Sequence, residues 1–364
     1  AGDISAGCVG VCRENQRAPQ AMNELEQRIH AEIADKGGVP FSRFMARASY
    51  EPELGYYETQ REVGRSGDFY TSVSVGSLYG ELLAFQFADW LAEINGPVQL
   101  VEAGAHDGRL AKDVLTYLRD WRPGLFERCE LILWEPSEIH RQWQASVLAE
   151  FGGKVKWVAD LESFNGVFYC NELLDACPVE RLIWKDDAWW LSLVESDGQS
   201  FGWGMRPGGK AELGDQLTPE EGAIFTVGDY GVWQAVCNSL KRGQALVVDY
   251  GMTEREFFDP PRENGTLRGY HGHRMVGDVL ANPGDIDITA SVNFTRVQRM
   301  AEVGGLEVAP LARQSQYLVR LFEQTLERPE LFPEWTPERT RQFQTLVHPE
   351  HLGHSFKVLE CRRP

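Results

Sequence analysis

The stretch that most constrains the fold runs from Val98 to Gly108 and reads Val-Gln-Leu-Val-Glu-Ala-Gly-Ala-His-Asp-Gly. Val98, Leu100 and Val101 suit a short buried strand. Gly104 and Gly108 suit a turn that lets backbone approach a ligand closely. The chain then places Leu110, Val114, Leu115 and Leu118 at helical spacing. A strand, a glycine turn and a helix form the unit by which wound α/β sheets hold nucleotides at their carboxyl edge. The spacing here is Glu-x-Gly-x-x-x-Gly, which is not the dinucleotide pattern. Glu102, two residues before the first glycine, suits a ligand with a positive amino group better than a pyrophosphate. Ordinary turn chemistry also uses such glycines.

Further apolar runs end in polar residues. Leu131-Ile-Leu-Trp is followed by Glu135, at the interval expected of an acid that binds ribose hydroxyls. The competing reading of Glu135 is a solvated strand-end carboxylate. Val167-Phe-Tyr-Cys leaves the sheet at Asn171, which puts Asn171, Glu172 and Asp175 on the same edge. Gln244 to Val248 ends at Asp249. Strands near 98, 131, 155, 167, 245, 306 and 356, alternating with helices, predict a doubly wound, mostly parallel, seven-stranded Rossmann-like sheet.

Other segments are expected around that α/β sheet. Residues 1–20 read as a loose tail, and residues 21–95 as an N-terminal helical segment covering the site, with helices over 22–33 and 40–48. The main domain spans 96–364. Within it, residues 179–227 read as a β insertion with antiparallel hairpins. Residues 252–290, rich in Pro, Gly, Arg and His, read as one long irregular loop. Its His271 and His273 are secondary candidates for a general base, beside Arg268 and Arg274, and Asp287 and Thr289 would pack the loop onto the site.

Charge and cysteine narrow the function. The formal net charge is -18, which argues against a nucleic-acid surface. The seven cysteines are scattered, without metal spacing, so no metal is expected. They suggest reduced thiols and a cytoplasmic protein. No run reaches the roughly 20 apolar residues of a membrane span, and no secretory signal is apparent at the start. The eleven tryptophans either fill the core or leave an apolar patch for a partner or a homodimer.

Several motifs in order resemble the MidA family of S-adenosylmethionine-dependent methyltransferases, which includes the mitochondrial arginine methyltransferase needed for respiratory complex I assembly. They are Gly67-Asp-Phe-Tyr-Thr-Ser72, Tyr79-Gly-Glu-Leu-Leu83, Glu102-Ala-Gly104, Trp134-Glu-Pro-Ser137, Asn171-Glu-Leu-Leu-Asp-Ala-Cys-Pro178, Asp249-Tyr-Gly251, Gly265-Thr-Leu-Arg-Gly-Tyr270 and Pro283-Gly-Asp-Ile-Asp-Ile-Thr289. The resemblance runs from about residue 40 to the C-terminus and implies a class I methyltransferase with S-adenosylmethionine as cofactor. It implies that Glu102 and Gly104, with Gly108 in the same turn, hold the amino-acid end of the cofactor. Glu135 would bind the ribose, Asp160 and Leu161 would flank the adenine, and Thr71 and Ser72 would close over the whole. Asn171, on the cofactor side, and the carboxyls of Glu172 and Asp175 would face the transferred methyl as the catalytic group. From the residues alone, Glu172 and Asp175 serve equally as caps of the following helix.

The family's turn usually reads Glu-x-Gly-x-Gly-x-Gly, and here His106 replaces the middle glycine. The implied acceptor is an arginine of a partner protein, plausibly a respiratory-chain subunit. A small-molecule methyltransferase and a non-catalytic assembly factor that keeps the fold are the competing readings.

Overall fold

The computed structural model describes residues 22–60, 71–208, 219–258, 265–272, 274–348, 353 and 355–364. The expected tail over residues 1–20, residues 67–70 of the polar loop, and His273 lie outside them.

Seven strands form the main path of the central sheet: β1 (Val98–Ala103), β2 (Cys129–Trp134), β3 (Val155–Val158), β4 (Phe164–Asn171), β5 (Leu240–Met252), β6 (Glu307–Val308) and β7 (Phe356–Arg363). Their order is β6-β7-β5-β4-β1-β2-β3. Pairings from β3 through β5 are parallel, whereas β7 runs antiparallel to β5 and β6. Two short strands, Val292–Asn293 and Ala312–Arg313, also pair in, so the sheet is mixed and has nine strands rather than seven.

Side-chain alternation sends neighbouring residues to opposite layers. Leu100, Val167 and Leu246 meet the helices Leu78–Ala92, Arg109–Trp121 and Gln314–Glu327. Val101, Phe168 and Val247 meet Gly231–Ser239 and Phe294–Val303 on the other face. Covering both faces is what makes β1, β4 and β5 continuous apolar runs. Chain order reverses between β1 and β4, and the carboxyl ends there open the crevice that such sheets use for ligands.

The β insertion forms a five-stranded antiparallel sheet from Val179–Lys185, Ala188–Ser196, Phe201–Pro207, Ile224–Gly228 and Val39–Pro40. The helices Glu24–Lys36 and Phe41–Tyr50 pack on it through Leu25, Ile29, Phe41 and Phe44. Residues 252–290 are not one irregular loop. They hold the helix Glu254–Phe258 and a three-stranded antiparallel sheet of Leu267–His271, Arg274–Val276 and Asp287–Ala290. Strands this short, broken by Gly272 and Pro283, carry too few residues to show a period.

Candidate functional site

A cavity of about 1350 Å³ opens at the carboxyl ends of β1, β2 and β4. That exceeds the span of about 300–1,000 Å³ usual for one small ligand. Glu102, Gly104, Glu135, Asn171, Glu172, Asp175 and Thr71 line it, so residues separated by a hundred positions meet at one edge.

The glycine turn forms one wall. Gly104 has φ +72, a conformation that residues with a side chain rarely adopt, and a Cβ there would press on Leu173 Cδ1 at 2.9 Å. Glu102 lies 2% exposed and accepts a 2.8 Å bond from the Tyr169 hydroxyl. Burial pushes its carboxyl up to about 8. His106 stands at φ 47, in the left-handed region. Its ring lies beside His140 and Trp143, and Nε2 is 3.3 Å from the Gln60 carbonyl. Burial lowers its proton affinity.

Glu135, beyond the end of β2, is 5% exposed. Its Oε1 accepts from the Ser137 amide at 2.9 Å, and its Oε2 from Gln144 Nε2 at 3.0 Å. His140 Nδ1 lies 3.3 Å from Oε2, and His140 Nε2 lies 2.6 Å from the Tyr57 carbonyl. Two acceptors require two N–H donors, which is the imidazolium. Burial works against that charge, but the bond and charge of Glu135 outweigh it and raise the proton affinity of His140.

The opposite end is acidic. Glu172 follows β4 at φ 55, an uncommon conformation for glutamate, held by its amide donating to the Val248 carbonyl at 2.9 Å. Tyr79 donates to Asn171 Oδ1 at 2.7 Å, and Asn171 Nδ2 donates to Glu172 Oε1 at 2.9 Å. Asp249, fully buried, takes the amides of Leu173, Leu174 and Tyr250 at 3.1, 2.7 and 2.7 Å and so anchors the turn. Burial pushes the carboxyls of Glu172 and Asp249 up to about 8 and about 7. Asp175 goes well above the ordinary range, through burial and then the charges of Asp249 and Asp287. Neither Glu172 nor Asp175 makes an ion pair with a described residue. Arg268 also reaches the cavity, stacked 4.4 Å over the Tyr250 ring with its guanidinium donating to that hydroxyl at 2.8 Å.

Several expected site residues do not line the cavity. Ser72 is fully buried, and its hydroxyl donates to Gln314 at 3.2 Å. Gly108 packs where its Cβ would face Gln144 and Leu148 at 3.4 Å. Asp160 is exposed, and Leu161 packs on the cluster around Trp233. Ala159, the first residue past the strand Val155–Val158, reaches the cavity in their place. His271 is exposed, with Nδ1 2.8 Å from the Asp285 carbonyl, and does not line the cavity. The sequence reading missed His140, Gln144, Tyr57 and Tyr169.

The glycine cradle and the buried, donor-lined Glu135 at a strand end fit a nucleoside that carries an amino-acid tail. Comparison with known proteins agrees. A family model described as "Putative S-adenosyl-L-methionine-dependent methyltransferase" matches residues 82–311. A structure from Burkholderia thailandensis, solved bound to S-adenosyl-homocysteine, superposes with a TM-score of 0.80 at 28% identity, covering 93% of this chain and 92% of that one. The mouse mitochondrial protein arginine methyltransferase NDUFAF7 is 26% identical over 84% of this chain and 77% of its own length. The Drosophila melanogaster homolog is 26% identical over 95% and 86%. These relatives are named mitochondrial, which overturns the cytoplasmic expectation. Cys129 and Cys170, on which that expectation drew, are free and buried, which does not identify a compartment. Among the described residues, no helix is long and apolar enough to cross a membrane. The chain belongs to this family of S-adenosyl-L-methionine-dependent methyltransferases, with S-adenosylmethionine as its cofactor.

Proposed function

We propose that the protein methylates a guanidinium nitrogen of an arginine in a partner protein, a respiratory-chain subunit being the acceptor the family resemblance points to. The observation that carries this reading is the row of buried carboxyls, Glu172, Asp175 and Asp249, beside a cavity larger than one cofactor needs. Carboxyls that destabilise one another this way gain from a cation among them. The relatives named as arginine methyltransferases support the same class of acceptor.

In this reading Glu102 and the Gly104 cradle take the amino-acid end of the cofactor and Glu135 takes the ribose hydroxyls. Ala159 borders the adenine, and Thr71 covers the site. When bound, S-adenosylmethionine supplies an electrophilic methyl on a sulfonium sulfur. The chain's own work is alignment and charge. A guanidinium keeps its proton at any ordinary pH, so Glu172 clamps it with paired hydrogen bonds and localises charge on the far nitrogens. Tyr79 fixes Asn171, and Asn171 fixes Glu172. After transfer the product nitrogen carries an extra proton. Glu172, pushed up to about 8, is placed to receive it.

The test is transfer of radiolabelled methyl to matched arginine and lysine peptides, followed by amino-acid analysis. Label on arginine, abolished in Glu172→Gln, is the expected result. Label on lysine, or label that persists in the variant, would refute the reading.

A further inference from the structure

The motif Gly265-Thr-Leu-Arg-Gly-Tyr270 carries one charged group that the proposed reaction does not use. Arg268 lines the cavity from the strand Leu267–His271. That strand pairs with Asp287–Ala290, with Arg268 opposite Thr289, and the Ala290 amide donates to the Asp175 carbonyl at 2.9 Å. The backbone of Arg268 is therefore tied to the acidic turn. Its guanidinium lies over the Tyr250 ring, 4.4 Å from the centroid, and donates to the Tyr250 hydroxyl at 2.8 Å.

Two arginines among the described residues line the cavity, and they are used differently. Arg109, at the glycine turn, pairs with Asp107 at 2.8 Å. Arg268 is half-buried and makes no ion pair with a described residue. Its hydrogen bond to Tyr250 engages a single donor of a planar fork that carries five. A guanidinium held on an aromatic face, with most of its in-plane donors open, is set up for a carboxylate that arrives from outside. Its place in the sheet says which side of the cavity it serves. Val248 pairs with Asn171, so Tyr250 stands two residues nearer the carboxyl edge on the neighbouring strand, about 7 Å beyond Asn171. The glycine turn and Glu135 follow β1 and β2, on the far side of β4. Arg268 thus borders the acceptor's side of the cavity.

We propose that Arg268 is a specificity-determining residue that binds a carboxylate of the acceptor, so that the preferred acceptor is an arginine with an aspartate or glutamate close by in sequence. This deepens the reading above and rests on its claim that a protein segment enters this end of the cavity. An extended peptide spaces alternate side chains by about 7 Å, which places the carboxylate within about three residues of the target arginine. Tyr250 is a positioning residue. Its ring face orients the guanidinium, and its hydroxyl takes one donor.

The experiment uses the full chain and arginine peptides that carry a single glutamate at successive positions on either side of the arginine, each matched by a glutamine peptide. Binding is read by fluorescence anisotropy in saturating S-adenosylhomocysteine, and methylation by radiolabel transfer. At one or more positions the wild type binds the glutamate peptide about 10-fold tighter than its match. Arg268→Gln removes that preference, while affinities for the glutamine peptides and for S-adenosylhomocysteine stay within about twofold. Arg268→Lys keeps the charge without the fork and retains part of the preference. Tyr250→Phe raises the KM for the preferred peptide about threefold at unchanged kcat, and it keeps the test open should Arg268→Gln fold poorly. The inference is overturned if the wild type shows no preference at any position, or if the preference survives in Arg268→Gln. Equal weakening of glutamate and glutamine peptides overturns it too, since Arg268 would then only pack. Loss of S-adenosylhomocysteine to the same extent would assign Arg268 to the cofactor's carboxylate instead. A binding preference without label on any arginine sinks the functional reading and leaves the inference. Label on arginine with equal KM for matched peptides does the reverse.

Discussion

The two ends of the cavity treat their carboxylates in opposite ways. Glu135 is surrounded by donors, namely the Ser137 amide, Gln144 and a histidine whose proton affinity Glu135 raises. Glu172, Asp175 and Asp249 lie beside one another, and burial with mutual repulsion raises their carboxyls despite the Asn171 bond to Glu172 and the three amides on Asp249. Glu102 lies between these cases, with one tyrosine donor and a carboxyl pushed up to about 8. One end is electrostatically complete before a ligand arrives. The other is rigidly placed, through Asp249 and the Tyr79–Asn171 pair, yet its Glu172 and Asp175 make no ion pair with a described residue. Preorganisation of geometry and completion of charge are thus separate properties, and the second end leaves completion to its acceptor.

Breaking the acidic end has the largest expected effect. Glu172→Gln lowers kcat/KM for arginine methylation by about 100-fold or more, measured by radiolabel transfer with the fold checked by circular dichroism. A loss under about threefold would erase the distinction between the ends. The next effect is on pH. Clamping needs ionised Glu172, whose carboxyl sits at about 8. The wild-type kcat/KM therefore rises nearly tenfold per unit from pH 6 to about 8 and then levels. A flat profile would contradict the charge assignment.

A smaller effect concerns stability. The ordinary value for Glu102 is 4.5 and the folded value about 8, so between them the folded chain holds a proton that the unfolded chain has released. The folded state binds more protons, and this contribution falls as pH rises through that window. Glu102→Gln should gain Tm relative to the wild type between pH 5 and pH 8. No relative gain would mean that Glu102 is better solvated than its 2% exposure implies. The smallest change is at His106→Gly. Glycine relieves the backbone at φ 47 but loses the ring contacts to His140 and Trp143. Cofactor affinity should move by less than about tenfold, the two effects being of similar size.

The strand ends were legible in the sequence because each is an apolar run closed by one polar residue. That pattern identified Glu102, Glu135, Asn171 and Glu172 as neighbours. It could not resolve which residue past β3 turns inward, so Asp160 and Leu161 stood in for Ala159. The small sheet over residues 267–290 was hidden by strands too short to alternate. The Tyr57–Asp287 contact spans 230 positions, and the pairing of a turn aromatic with a distant strand leaves no local trace. His106 was legible as a departure from the family turn. Its contact with Gln60 was not, since residue 60 belongs to a segment that only tertiary packing brings near.

The claim that the two ends are separable is tested most directly by calorimetric titration of S-adenosylmethionine into the wild type, Glu135→Ala and Glu172→Gln. The account predicts binding by the wild type, loss of at least about tenfold in Glu135→Ala and affinity within about twofold in Glu172→Gln. Equal losses in both variants would contradict it, and the acidic turn would then belong to the cofactor rather than to the acceptor.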